Sequence, residues 1–201
     1  MDELRVNFVG SYPSLSKSPP PKLPEVAFVG RSNVGKSSLL NMLTGKRGLA
    51  RTSSTPGRTQ LINHFEVEEG WMLVDLPGYG YAKLSKKHRA SLDTMVRTYV
   101  AGRASLYVTF VLLDAQLPLQ ANDAAMIHWL AERQLPQAWI FTKVDKGRKQ
   151  QARSQVSATL KTLHQSWEDL PPHFVTSSMS GEGRAAVLDF IRTSLLPAPQ
   201  P

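Results

Sequence analysis

Cysteine is absent from the 201-residue chain, which excludes a disulfide framework and any thiolate metal site. No apolar run approaches the roughly 20 residues needed to cross a bilayer. The opening MDELRVNFVG is acidic where a secretory signal would be basic. The expectation is a soluble, cytoplasmic, monomeric protein without integral membrane association. The histidines are scattered without metal-ligand spacing, and no internal repeat or long linker interrupts the chain. Acidic residues are few, 16 against 24 Lys and Arg, for a net charge of +8 and a pI of about 9.9. That balance points towards polyanions, nucleic acid or an anionic membrane surface.

Hydrophobic residues make up 41% of the chain, enough at this length to bury one core. Residues 1–23 form an extended N-terminal segment; its stretch SYPSLSKSPPPKLP, residues 11–24, is rich in Pro and Ser and is expected to carry no helix or strand. A domain over 24–196 follows, then a fraying tail at 197–201. Within the domain, strands are expected at Val26–Gly30, Leu61–Val67, Met72–Asp75, Leu106–Leu113, Ala138–Thr142 and Phe174–Thr176. Helices are expected at Lys36–Leu43, Ser85–Val100, Gln120–Arg133, Gly147–Trp167 and Gly183–Leu196. Runs such as VTFVLL are apolar on both faces, as in strands buried between helix layers. The fold class is α/β: a mostly parallel six-stranded sheet with helices on both faces, binding ligands at the C-terminal strand ends.

The strand EVAFVG runs into Gly30, Arg31, Ser32, Asn33, Val34, Gly35, Lys36 and Ser37, a match to G-x-x-x-x-G-K-[ST]. Phosphate binding needs successive backbone N–H groups turned inward, and glycine permits both the conformation and the close approach. A helix starting near Lys36 adds its positive end. Lys36 is expected on the β- and γ-phosphates and the Ser37 hydroxyl on Mg2+. This makes the domain a P-loop NTPase, without separating ATP from GTP.

Three further motifs follow in order. Asp75, Leu76, Pro77 and Gly78 form D-x-x-G, in which the Asp holds Mg2+ through water and the Gly78 N–H faces the γ-phosphate. Thr142, Lys143, Val144 and Asp145 match N-K-x-D, whose Asp accepts two N–H bonds from guanine. Adenine lacks that donor pair and would leave the carboxylate unpaired. Thr142 replaces the usual Asn, a departure expected to remove one buttress. Thr176, Ser177 and Ser178 open a polar loop of the kind whose N–H meets the guanine O6.

Together these elements resemble a Ras-like G domain. The finer pattern GRSNVGKSSLLN, SSTPGRTQLINHF, LVDLPGYGYAK, TKVD and SSMSGEG resembles the EngB (YihA/YsxC) family, within the TrmE-Era-EngA-EngB-septin-like GTPases, over about Pro24 to Leu196. The resemblance implies a bacterial GTPase acting in assembly of the large ribosomal subunit and needed for normal cell division and septation.

The segment 51–59 is read as the first switch, able to order on γ-phosphate and Mg2+. The family pattern assigns nucleotide contact to Gly57, Arg58, Thr59, Gln60 and Leu61, with Thr59 the Mg2+ ligand and Thr55 its rival. The second switch runs from Gly78 through Tyr79 and Gly80 to Tyr81. Hydrolysis is in-line attack by water, and the candidate catalytic set is Lys36, Thr59, Gly78 and Asn33. Tyr79 stands where related enzymes place a water-orienting Gln, so intrinsic turnover is expected to be slow. Asn33 resembles a phosphate-loop Asn that binds K+ in related GTPases, which makes K+ a candidate cofactor beside Mg2+ and GTP/GDP.

Basic residues cluster after the second switch (Lys83, Lys86, Lys87, Arg89, Arg97, Arg103) and after the guanine motif (Lys143, Lys146, Arg148, Lys149, Arg153, Lys161). They fit salt-sensitive contact with rRNA of the large subunit or its precursor. A regulator acting directly on the division machinery or membrane, and a P-loop kinase or ATPase, are the alternatives. Trp129, Trp139 and Trp167 are expected in the core.

Overall fold

The computed structural model describes residues 3–50, 60–80, 84–147 and 149–195. Among these residues seven strands form one sheet: β1 (Val6–Tyr12), β2 (Glu25–Gly30), β3 (Ile62–Val67), β4 (Trp71–Asp75), β5 (Leu106–Asp114), β6 (Gln137–Thr142) and β7 (His173–Val175). Their order is β1-β3-β4-β2-β5-β6-β7. The pairings β4–β2–β5–β6–β7 are parallel, and β3 is antiparallel to both neighbours.

Among the described residues five α-helices connect the strands: α1 (Lys36–Thr44), α2 (Lys86–Gly102), α3 (Ala121–Glu132), α4 (Lys149–His164) and α5 (Arg184–Leu195). Side chains alternate across a strand, so each central strand feeds two cores. Val26 and Phe28 of β2 face α1 and α5, joined by Phe110, Leu39, Leu43, Val187 and Ile191. Ala27 and Val29 face α2, α3 and α4, joined by Val111, Trp139, Tyr99, Ile127 and Val156. Phe28 and Phe110 stack on neighbouring strands with centroids 4.9 Å apart.

The sequence predicts six strands. The seventh, β1, falls in the segment read as extended, and a short 3-10 helix, Leu15–Lys17, interrupts the stretch read as having no helix. β1 shows no clean alternation, because only Val6 is buried while Asn7, Phe8 and Val9 are exposed. Its pairing comes from β3, Val6 opposite Val67 and Tyr12 opposite Ile62, with an irregularity between Phe8 and Gly10. Long-range pairing of that kind leaves no local signal.

Of the three tryptophans expected in the core, only Trp139 is fully buried. Trp167 lies edge-on to it at 5.6 Å. Trp129 is half-buried, with the guanidinium groups of Arg97 and Arg133 over its ring at 4.7 and 4.9 Å.

Candidate functional site

The C-terminal ends of the parallel strands bring the motif loops together. Leaving β2, Asn33 (φ 66°) and Gly35 (φ 105°) adopt left-handed backbone before α1 begins. Gly35 is the helix N-cap in that conformation, which a side chain would resist. Leu39 N–H donates to the Gly35 carbonyl at 2.9 Å. The amides of Lys36, Ser37 and Ser38 therefore have no acceptor within the helix. Ser37 is half-buried in that first turn.

Lys36, 8% exposed, pairs with Asp75, 2% exposed, at the end of β4. The second Asp75 oxygen accepts from Asn63 Nδ2 at 3.3 Å. Leu76 and Pro77 are buried. Gly78 lies so close to the phosphate loop that a Cβ would stand 3.3 Å from both the Gly30 carbonyl oxygen and the Ser32 nitrogen.

The loop after β6 is tied to the phosphate loop at two points. Thr142 Oγ1 donates to the Val34 carbonyl at 2.5 Å. Lys143, itself left-handed at φ 63°, donates from Nζ to the Asn33 carbonyl at 2.7 Å and to Asp114 Oδ2 at 2.6 Å. The expectation that Thr142 removes a buttress is corrected: its hydroxyl, though shorter than an asparagine amide, reaches the loop directly. Val144 is buried, and the Asp145 carboxylate, half-buried, has no hydrogen-bond or ion-pair partner among the described residues.

The neighbouring loop is built on Ser177, whose Oγ accepts from the Met179 and Ser180 amides at 3.2 and 3.1 Å. Thr176 Oγ1 donates to the Phe141 carbonyl at 3.0 Å, and Val144 N–H donates to the Thr176 carbonyl at 3.2 Å. Thr176 and Ser177 are buried and Ser178 is half-buried.

Gln60 and Leu61 lead into β3, both exposed. Gly57, Arg58 and Thr59, the rival Thr55, the rest of 51–59, Tyr81, Lys83, Arg148 and the tail at 197–201 lie outside the described residues.

Three side chains that organise the site carry no motif in the sequence. Asp114 ends β5 and receives Lys143; an Asp closing an apolar strand at this edge of the sheet is the signal that could have found it. Gln116 donates from Nε2 to the Lys143 carbonyl at 3.1 Å. Asp123, on α3, accepts from Arg31 and Tyr79. Tyr79 points into the protein, 9% exposed, so it is no candidate for orienting water.

A carboxylate from Asp75 and a hydroxyl from Ser37 are hard oxygen donors, the kind Mg2+ takes with water and phosphate completing its shell. Among the described residues no three His, Cys, Asp or Glu gather into a dedicated metal cage.

The basic clusters are thinner than the sequence suggests. Arg103 is buried and paired with Glu25, not on the surface. Arg97 pairs with Asp93 at 2.7 Å, and Arg153 with Glu182 at 2.6 Å. Lys86, Lys87, Lys146 and Lys161 remain exposed, and Arg89 is half-buried. No described helix is long and apolar enough to cross a membrane.

A family model described as "50S ribosome-binding GTPase" matches residues 25–143. The chain is 47% identical over 193 residues to the probable GTP-binding protein EngB of Bacteroides fragilis, covering 96% of each. It is 46% identical over 189 residues to that of Cytophaga hutchinsonii, covering 94% of this chain and 95% of the other. Among solved structures it shares its fold with Era in complex with MgGDPNP and nucleotides 1506–1542 of 16S ribosomal RNA, at TM-score 0.68 and 22% identity, covering 89% of this chain and 58% of that one. A crystal structure of a probable GTP-binding protein engB aligns at TM-score 0.62 and 20% identity, covering 85% of this chain and 98% of that one.

Proposed function

As this chain belongs to the EngB family of GTP-binding proteins, we propose that it is a Mg2+-dependent GTPase switch that assists assembly of the large ribosomal subunit and so supports normal cell division and septation. The observation that carries the switch reading is the pair of ties from Thr142 and Lys143 to Val34 and Asn33. They hold the loop after β6 against the phosphate loop, which supports reading both ends of one guanine nucleotide.

In this reading the half-buried Asp145 carboxylate accepts the guanine N–H pair, and the loop of Thr176, Ser177 and Ser178 donates to O6. Backbone N–H groups of the loop from Gly30 to Ser37, through Arg31, Ser32, Asn33, Val34 and Gly35, and the Lys36 ammonium hold the phosphates, while the Arg31 side chain stays on Asp123. Ser37 and, through water, Asp75 would hold Mg2+, with Thr59 completing the set. Mg2+ bound there would neutralise charge on the β- and γ-phosphates. Gly78 N–H would meet the γ-phosphate, and Lys36 would exchange its Asp75 partner for phosphate oxygens. Tyr79 stands where related enzymes place a water-orienting Gln and is turned into the protein, so turnover without help is slow. K+ held at Asn33 would supply further positive charge.

The ribosomal part rests on the exposed basic residues Lys86, Lys87, Lys146 and Lys161 and on the family description. The test is twofold. Fluorescent nucleotide titration should show GDP and GTP binding with ATP rejected by at least about a hundredfold. Sedimentation with large ribosomal subunits and their precursors should show preferential binding with a non-hydrolysable GTP analogue, weakening steeply with salt. Equal binding of ATP would overturn the guanine reading. Nucleotide-independent or absent binding to ribosomal particles would overturn the assembly reading and favour the division machinery.

A further inference from the structure

Arg31 of the phosphate loop and Tyr79, the residue after the D-x-x-G glycine, share one carboxylate. Arg31 Nε donates to Asp123 Oδ2 and the Tyr79 hydroxyl donates to Asp123 Oδ1, each at 2.9 Å. Asp123 lies in the first turn of α3 and is 2% exposed. The same two residues also meet through their backbones. Tyr79 N–H donates to the Gly30 carbonyl at 3.2 Å and Ser32 N–H to the Tyr79 carbonyl at 3.0 Å, a bridge that prolongs the β2–β4 pairing past the strand ends. Gly78, next to Tyr79 in the chain, lies against Gly30 and Ser32 beside this clasp. On its far side Gly80 rests on α3, where a Cβ would stand 2.9 Å from Asn122 Nδ2.

The clasp is internally balanced. A carboxylate this buried needs a compensating charge, which Arg31 brings, and both of its oxygens are satisfied. Burial raises the Asp123 pKa, opposed by Arg31. Burial and the Asp123 charge raise that of Tyr79 well above its usual value, so the hydroxyl stays a donor. Neither residue bonded to Asp123 can move independently of the other without leaving a buried oxygen unpaired.

We propose that Asp123 is a positioning residue of the γ-phosphate-sensing site: by holding Arg31 and Tyr79 on its two oxygens it fixes the Gly78 amide against the phosphate loop and sets how strongly the site distinguishes a nucleoside triphosphate from a diphosphate. This rests on the guanine-nucleotide switch reading above. Asp123 belongs to none of the nucleotide-binding motifs, so its influence passes through Arg31 and Tyr79.

The test uses the full chain with Tyr79→Phe, Asp123→Asn and the double substitution. Dissociation constants for GDP and a non-hydrolysable GTP analogue are measured by fluorescence, with thermal melting as the check on folding. Each single substitution is expected to change the ratio of the two constants by about tenfold, the lower end of the size of one charge-assisted hydrogen bond. The double is expected to go no further than the larger single, because both break one coupled unit. If Asp123→Asn does not fold, Tyr79→Phe decides alone, since phenylalanine fills the same volume. A ratio unchanged within about twofold in Tyr79→Phe, equal losses for both nucleotides, or additive effects would each overturn the proposal. Wild-type protein that binds no guanine nucleotide would overturn the underlying reading instead.

Discussion

Lys143 and Asn33 both carry left-handed backbone, at φ 63° and 66°, and are joined by a 2.7 Å hydrogen bond from the lysine Nζ to the asparagine carbonyl. Non-glycine residues hold that conformation only where their surroundings impose it. Here two such residues brace one another across the gap between the base loop and the phosphate loop. Lys143→Met keeps the aliphatic stem and loses the donor. It should weaken guanine nucleotide binding by about tenfold and also lower thermal stability, because the mostly buried Asp114 loses its lysine partner. Isothermal titration and melting of the same samples would separate the two.

Thr142 makes the second tie, and its hydroxyl is buried. Thr142→Val removes the donor at constant shape and leaves the Val34 carbonyl unpaired. The expected cost is about 1–2 kcal/mol of folding stability, with Thr142→Ser close to wild type. Chemical denaturation measures both.

Asp145 tests base reading. Asp145→Asn replaces an acceptor-only group by one that also donates, which suits the 2-oxo group of xanthine. GDP affinity should fall by at least about a hundredfold while xanthosine diphosphate affinity rises, read by competition against a fluorescent nucleotide.

The pH response should centre on His64. Its Nε2 faces the Tyr99 hydroxyl at 2.9 Å, and that hydroxyl donates to Glu25 at 2.6 Å, so Nε2 is the protonated nitrogen. Nδ1 is buried and lacks a hydrogen-bond partner among the described residues. Burial lowers the His64 pKa from 6.5 to about 4, with Glu25 opposing and Arg103 assisting. Between those values the unfolded chain holds a proton that the folded chain refuses. Stability is therefore undiminished above pH 6.5 and falls as pH drops towards 4. The full effect is on the order of 3 kcal/mol. Denaturant midpoints for wild type and His64→Gln across that window should converge as pH falls.

Glu25 and Arg103 form a buried pair, and Arg103 also donates to the Pro19 carbonyl at 2.8 Å. Arg103→Met alone strands the Glu25 charge and should cost about 3–5 kcal/mol. The Glu25→Met/Arg103→Met double should recover most of that, measured as a double-mutant cycle in urea.

The site was legible where chemistry requires a local pattern. Gly30 to Ser37 must be contiguous to wrap a phosphate, so one window of sequence contains it. The central strands are buried on both faces and announce themselves as apolar runs. Asp123 gave no such sign, because an acidic residue in the first turn of a helix is already explained by the helix dipole. Arg103 looked like one more surface cation, since its partner Glu25 is 78 residues away in the chain. Thr142 looked like a loss because sequence shows residue type, not how close Val34 approaches.

The placement of β1 at the sheet edge has a consequence for the order in which the protein is made. Val6 pairs with Val67, so β1 must wait after its own translation until β3 is made. At ordinary rates of synthesis that delay is roughly 3–12 s. During it the segment would be a single unpaired strand carrying Phe8 and Val9, open to other nascent chains. Its exposed polar neighbours Asn7 and Ser11, and the irregular register at Gly10, are the features that make such premature pairing unfavourable.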